Sequence, residues 1–143
     1  MVKCTFSIVR AGLYTDKHRS GIFLYESDSQ ETDIEYLTDP SSQSNNVLDK
    51  NISCSTGDPI PIWYSNQATK LGGLATHDIG PAPQDVTAPH VYRIDWTKKH
   101  TVYWIDGVKQ KTFTTNVPSK PGPWVWNNWA NGDSGELYSS SCV

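Results

Sequence analysis

The sequence predicts an all-β protein folded as an antiparallel β-sandwich. Short runs of aromatic and β-branched residues recur along the chain, and turn-forming residues separate them at intervals of roughly 8–12 residues, as in sandwich proteins. No segment keeps a helical periodicity over about ten or more residues. The chain holds six Trp and seven Tyr but is only 36% hydrophobic, a balance that suits sheets with one face in water.

Length and charge narrow the classes of function. A chain of 143 residues fits one domain, and we assign residues 1–143 to it. The net charge is −3 with both signs mixed along the chain, so no basic patch favours a nucleic-acid partner. No apolar run is long enough for a membrane span, and no stretch resembles a secretory signal peptide.

The cysteines and short motifs give little information about function. Cys4, Cys54 and Cys142 are an odd number, so at least one thiol is unpaired unless it bridges to another chain. No Cys or His spacing is typical of zinc, and we expect no metal and no cofactor. Asn51-Ile52-Ser53 is a glycosylation sequon, which favours secretion only weakly because such triplets are common by chance.

Nine segments have the composition of strands. In chain order they are 3–14, 21–26, 31–37, 60–66, 70–77, 90–96, 101–106, 109–115 and 124–129. The turn-rich residues 27–30 predict an antiparallel hairpin between the second and third, and Asp106-Gly107 predicts another hairpin turn. Residues 79–89 form a proline-rich connector. The long polar loop 38–60 is expected to form the rim of a groove beside the third strand.

The third predicted strand carries three carboxylates at alternate positions, Glu31, Asp33 and Glu35. Because alternate side chains of a strand share a face, all three would point one way, with Thr32, Ile34 and Tyr36 on the other face. Like charges on one face destabilise a strand, and Glu and Asp are poor strand formers. The pattern therefore indicates either an exposed acidic face or cation site, or a catalytic pair of carboxylates.

The spacing of these residues suits one chemistry. The Cα atoms of Glu31 and Glu35 would lie about 13 Å apart, at roughly 3.3 Å per residue. Since each side chain can lean about 4 Å toward the other, the carboxyl groups would be roughly 5 Å apart, as in a retaining glycosidase. Asp33 lies between them, where it can hydrogen-bond one Glu and keep their two pKa values apart.

Three ordered motifs resemble those of glycoside hydrolase family 16. Residues 31–35 (ETDIE) after an apolar strand resemble its active-site signature. Residues 90–96 (HVYRIDW) and 102–108 (VYWIDGV) resemble its paired strands, and residues 127–132 (NNWANG) resemble its N-L-W-x-N-G strand end. The resemblance runs from about residue 5 to about residue 133 and is nearest to secreted fungal members. It implies a β-jelly-roll fold and an extracellular or cell-wall location.

The resemblance also implies roles for the carboxylates. Glu31 corresponds to the nucleophile, which attacks the anomeric carbon and forms a glycosyl-enzyme ester. Glu35 corresponds to the acid/base, whose pKa is expected to be raised until Glu31 becomes an ester. Asp33 is expected to assist by hydrogen-bonding the nucleophile.

Five further residues are candidate substrate contacts: Trp129, Asn127, Trp104, His90 and Tyr36. The first two match positions that line the sugar cleft in the family, and Trp104 and His90 match residues beside the catalytic strands. Tyr36 directly follows the acidic motif. Core packing is the alternative for each Trp, and a buried, hydrogen-bonded structural role is the alternative for His90.

The chain departs from the family pattern at both ends. The family domain is usually much longer, and residues 134–143 form an atypical tail. We therefore expect a partial domain without its outer strands, as a truncated product, a gene-model fragment or a minimal variant. Unpaired sheet edges predict self-association. Lost strand partners predict marginal stability and weak or absent catalysis.

The expected function is hydrolysis of β-1,3/β-1,4-glucan-type polysaccharides by a retaining double displacement, with β-glucan as the partner. Two alternatives stay open. One is a cell-wall transglycosylase, in which a sugar hydroxyl rather than water attacks the intermediate. The other is a carbohydrate-binding remnant without turnover, in which Glu31 does not react.

Overall fold

The computed structural model describes residues 4–5, 18–37, 61–86 and 88–130, and these contain nine β-strands. The strands are β1 (Cys4–Thr5), β2 (His18–Ser27), β3 (Gln30–Leu37), β4 (Ile62–Asn66), β5 (Thr76–Gly80), β6 (Tyr92–Trp96), β7 (Thr101–Ile105), β8 (Val108–Phe113) and β9 (Trp124–Ala130). Within the described ranges the connections are turns, bends and irregular segments, and these ranges hold no helix. Accordingly, no helix in these ranges has the length and apolar character needed to cross a membrane.

The strands form two antiparallel sheets. The five-stranded sheet has the order β5-β4-β3-β2-β9, and the four-stranded sheet has the order β1-β6-β7-β8. Every strand pair is antiparallel, including the predicted β2–β3 hairpin. Asp106 and Gly107 both have positive φ, at 49° and 78°, as a tight β7–β8 hairpin turn requires. The predicted all-β, antiparallel sandwich is confirmed.

The core lies between the two sheets and takes alternate residues from both. Its buried members are Ile34, Ile62 and Tyr64 from the five-stranded sheet and Ile94, Tyr103, Ile105 and Phe113 from the four-stranded sheet. The rings of Tyr64 and Tyr103 lie 5.2 Å apart across the interface, close enough to interact directly. Because these strands bury only one face in the core, their alternate residues remain free to build a surface on the outer face.

The largest difference from the predicted strands lies between β4 and β5. The sequence predicted a strand over 70–77, whereas the structure has a turn there and the strand Thr76–Gly80. Gly72, at φ 73°, supplies the left-handed conformation of the turn. The Asn116 side chain, far away in sequence, fixes the end of the turn by donating to Leu74 O at 2.8 Å. A tertiary hydrogen bond of this kind has no local sequence signal.

Several sequence predictions lie outside the described residues. They are the continuation of the first strand beyond residue 5, the groove-rim loop 38–60, the tail 134–143, and Cys54 and Cys142. Among the described residues, Trp126 on the edge strand β9 is 64% exposed. An exposed aromatic at a sheet edge favours self-association, which stays a prediction.

A buried hydrogen-bond network joins the two sheets behind β3. Tyr103 Oη on β7 lies 2.8 Å from Thr32 Oγ1, 2.8 Å from Ser65 O and 2.9 Å from Asn66 Oδ1. Asn66 Nδ2 in turn donates to Thr115 O at 3.0 Å. Tyr103, Thr32 and Asn66 are fully buried, so each of these polar groups depends on the others for its partner.

Tyr103→Phe is therefore predicted to lower the free energy of unfolding by about 1–3 kcal/mol, because it leaves buried polar groups without a partner. Urea denaturation of the wild type and the variant measures this change. Tyr36→Phe is the control, since Tyr36 is partly buried and its hydroxyl lies outside the network. Equal destabilisation by the two variants would contradict the proposed role of the network.

Candidate active site

The structure places the three carboxylates of β3 on the face of the five-stranded sheet that points away from the core. Thr32 and Ile34 are buried on the opposite face, where Thr32 bonds Tyr103 of the second sheet. Glu31, Asp33 and Glu35 alternate with them along the strand. The predicted shared face of the carboxylates is confirmed.

The neighbouring strands surround each carboxylate differently. Glu31 pairs with Tyr25, Asp33 with Phe23 and Ser65, and Glu35 with Gly21 and Trp63. Gly21 has no side chain to place beside Glu35 on the β2 side. Trp63 is 8% exposed and gives Glu35 an apolar neighbour on the β4 side.

Asp33 is the most buried of the three carboxylates, with 2% of its surface exposed. Burial raises the pKa of Asp33 well above its ordinary value, and the charges of Glu31 and Glu35 raise it further. A side-chain hydrogen bond joins Asp33 and Glu31; it raises the pKa of Asp33 and lowers that of Glu31. Gln67 Nε2 donates to Asp33 Oδ2 at 3.3 Å, whereas the buried Asp33 Oδ1 has no hydrogen-bond partner among the described residues. Asp33 is thus a buried carboxyl group that contacts Glu31.

Glu31 is partly buried and experiences opposing effects. Burial raises its pKa, the hydrogen bond from Asp33 lowers it, and the charge of Glu35 raises it again, so that the pKa lies above its ordinary value. The hydrogen bond stabilises the ionised form, which is the form that acts as a nucleophile. The hydrogen bond from Asp33 therefore partly offsets the rise in the Glu31 pKa that burial causes.

Tyr36 and Trp104 lie away from the carboxylates. Tyr36 is on the core face of β3 and packs against the core cluster. Trp104 is on β7 in the other sheet, where it alternates with buried Tyr103 and Ile105, and the Arg93 guanidinium lies 4.9 Å from its ring centre. The alternation of strand side chains thus separates both residues from the site, and we do not assign either to it.

His90 also lies away from the carboxylates, at the start of the β6–β7 hairpin. Its Nδ1 is 2.7 Å from Asp106 Oδ2, and its Nε2 is 2.7 Å from Asp85 O. Asp106 Oδ1 also accepts from the Val91 backbone N–H at 2.8 Å. Both ring nitrogens of His90 are therefore hydrogen-bonded, as in the structural alternative for this residue, although its side chain is only partly buried.

Asn127 and Trp129 belong to β9, beside β2. Asn127 pairs with Gly21, which itself pairs with Glu35, and Trp129 pairs with Arg19. The backbone of Asn127 therefore lies in the same cross-strand row as Glu35. The side chains of both residues are outside the described part of the structure, and their role as sugar contacts stays a prediction.

Sequence reasoning missed several residues on the carboxylate face, namely Tyr25, Phe23, Trp63, Ser65, Gln67 and His77. Their position follows from cross-strand register, which depends on the whole sheet. The available signal was the aromatic content of the strands predicted over 21–26 and 60–66. That signal indicates a strand but does not give its partner or its register.

Two curated β-glucanases are similar to short parts of the chain. The Paenibacillus polymyxa β-glucanase is 42% identical over 43 residues, which cover 30% of this chain and 18% of that protein. The Paenibacillus macerans β-glucanase is 40% identical over 40 residues, which cover 28% and 17%. No protein-family model matches the chain.

Solved structures are similar over most of the described fold. The Bacillus licheniformis β-glucanase has a TM-score of 0.61 at 21% identity and covers 85% of this chain and 50% of its own. Apo Crh5 transglycosylase has a TM-score of 0.52 at 26% identity, covering 82% and 44%. The Crh5 complex with NAG has a TM-score of 0.53 at 26% identity, covering 85% and 46%. The fold is therefore a jelly-roll sandwich of the β-glucanase type, and the chain spans about half the length of these proteins.

His90→Gln is predicted to destabilise the protein more at pH 5–6 than at pH 9. The pKa of His90 is raised, first by the hydrogen bond to the Asp85 carbonyl and then by the bond to Asp106. The stabilisation is therefore complete below about pH 6.5, the ordinary pKa of His, and is lost as the pH rises through the raised value. The pKa of Asp106 is lowered, so its contribution is lost only in acid, as the pH falls through that value.

Urea unfolding at a series of pH values between 5 and 9 measures this effect. His100→Gln is the control, because it makes the same chemical change beside the β6–β7 turn. If the difference in unfolding free energy between wild type and His90→Gln is the same at every pH, the assignment of a protonated His90 is contradicted.

Proposed function

We propose that this protein cleaves β-glucan chains by a retaining double displacement, with Glu31 as the nucleophile and Glu35 as the acid/base. The observation that carries the proposal is the arrangement of these two residues on one outer sheet face, on either side of a buried Asp33 that bonds Glu31. An acidic face that served only solubility would not bury its central carboxylate among two others, because burial of charge is costly.

The proposed reaction has two steps. Glu31 attacks the anomeric carbon while Glu35 gives its proton to the departing glycosidic oxygen, which leaves a glycosyl ester on Glu31. Glu35 then takes a proton from water as that water attacks the same carbon and releases Glu31. Two inversions give net retention. Asp33 orients Glu31 through the hydrogen bond between their side chains.

The substrate class is supported by the short but specific likeness to β-glucanases and by the shared fold. The Crh5 transglycosylase neighbours favour the second candidate, in which a sugar hydroxyl replaces water in the second step. The third candidate is a carbohydrate-binding protein without turnover. We also propose an extracellular or cell-wall location, where a glucan substrate is found.

The carboxylate assignment predicts different outcomes for two variants. Glu31→Gln should abolish turnover and retain oligosaccharide binding. Glu35→Ala should lower kcat/KM on glucan by roughly 10²–10⁴, the usual contribution of general acid catalysis, and far less on an aryl glycoside whose leaving group needs no proton. Reducing-sugar release from laminarin, lichenan and xyloglucan, together with aryl glycoside cleavage, measures both.

Glu26→Gln is the matched control, because Glu26 is exposed on β2 and pairs with Lys120 at 3.7 Å. Equal losses of Glu35→Ala on glucan and on the aryl glycoside would refute the acid/base role. Glucan binding by the wild type without any release of sugar would favour the binding protein.

A further inference from the structure

The two proposed catalytic residues fix the direction in which a glucan crosses the sheet. A nucleophile and an acid/base flank the scissile bond from two sides. Glu31 and Glu35 are separated along β3, with Asp33 between them. A glucan that passes between them must therefore run across the strands, over the row of residues that contains Asp33.

Cross-strand pairs extend the Asp33 row over the whole five-stranded sheet. On one side Asp33 pairs with Ser65 of β4, and Ser65 pairs with His77 of β5. On the other side Asp33 pairs with Phe23 of β2, and Phe23 pairs with Val125 of β9. Directly opposed residues of antiparallel strands share a face, so the row lies on the carboxylate face.

His77 ends this row on the β5 side. It is exposed, and Ser65, which lies between it and Asp33 in the row, is a small, buried residue. Two strand spacings place His77 about 10 Å from Asp33, which is beyond the reach of the sugar being cleaved. His77 would instead contact a sugar further along a long glucan chain.

The His77 ring is held in place by Trp63. The two ring centres are 5.6 Å apart at an angle of 62°, an edge-to-face contact. Trp63 is itself buried and is the cross-strand partner of Glu35. The ring contact therefore connects His77, through Trp63, to the proposed acid/base residue. An imidazole offers a flat ring, a hydrogen-bond donor and an acceptor, which together suit the face and hydroxyls of a sugar.

We propose that His77 binds the glucan on the β5 side of the site, beyond the sugars at the scissile bond, and thereby favours longer chains. This inference rests on the proposed function. It assigns a chain-length preference to a residue that belongs to none of the sequence motifs, and it identifies the bound group as a sugar of the same β-glucan chain.

The test compares His77→Ala with wild type on a short and a long β-glucan oligosaccharide, the long one reaching beyond β5. The ratio of kcat/KM for the long substrate to that for the short substrate should fall about three- to tenfold, the equivalent of one hydrogen bond. His100→Ala, the same change in the β6–β7 turn beside the other sheet, should leave the ratio as in wild type. An unchanged ratio in His77→Ala, including an equal loss on both substrates, would overturn the inference.

A separate measurement distinguishes failure of the inference from failure of the proposed function. If the wild type releases no product, the proposed function fails, and calorimetric titration with the long oligosaccharide still tests His77. In that experiment His77→Ala should bind about three- to tenfold more weakly than His100→Ala. Equal affinity of the two variants, or no binding by the wild type, would overturn the inference.

Discussion

The contact between buried Asp33 and Glu31 is the interaction on which the candidate site depends. Three ionised carboxylates on one partly buried strand face would repel one another in a medium that screens charge poorly. Burial and the charges of Glu31 and Glu35 raise the pKa of Asp33, and a hydrogen bond joins Asp33 to Glu31. Because that hydrogen bond lowers the pKa of Glu31, it favours the ionised form that a nucleophile requires. Gln67 donates a further hydrogen bond to Asp33 Oδ2, while the buried Asp33 Oδ1 has no hydrogen-bond partner among the described residues.

The opposite face of β3 holds this arrangement in position. Thr32 lies between two of the carboxylates in sequence but points into the core, where it meets Tyr103 of the second sheet. β3 is also the central strand of its sheet, with β4 and β2 bonded to its two edges. Catalysis requires carboxylates placed to within about 0.5 Å, and a central strand fixed on three sides meets that need better than a loop or an edge strand.

The sequence was sufficient for features that depend on local periodicity. Alternation along residues 31–37 predicted the shared carboxylate face, and it also placed Tyr36 on the other face. Tyr36 was nevertheless assigned as a substrate contact because it directly follows the acidic motif. The structure places it on the core face, as the alternation predicts. The β7–β8 turn was likewise predictable, because Asp-Gly accommodates the positive φ values that the turn requires.

Features that depend on register between distant strands were not predictable. Trp104 is near the carboxylates in the motif pattern but belongs to the other sheet. His77 is far from them in sequence, yet two consecutive strand pairings place it in the row of Asp33. The sequence predicted the wrong start for β5. The turn before β5 is fixed by a hydrogen bond from Asn116, which lies beyond β8 in the chain. In each case the deciding contact joins residues that no local pattern connects.

Covalent trapping tests the central claim most directly, that Glu31 is a nucleophile. An activated 2-deoxy-2-fluoro-β-glucosyl donor slows release of the ester more than its formation, because fluorine destabilises the oxocarbenium-like transition state while the good leaving group restores the first step. The account predicts a mass increase of one fluoroglycosyl residue, located on Glu31 by peptide mapping. A label on Glu35 or on another residue, or glucan cleavage that proceeds without any trappable ester, would contradict it.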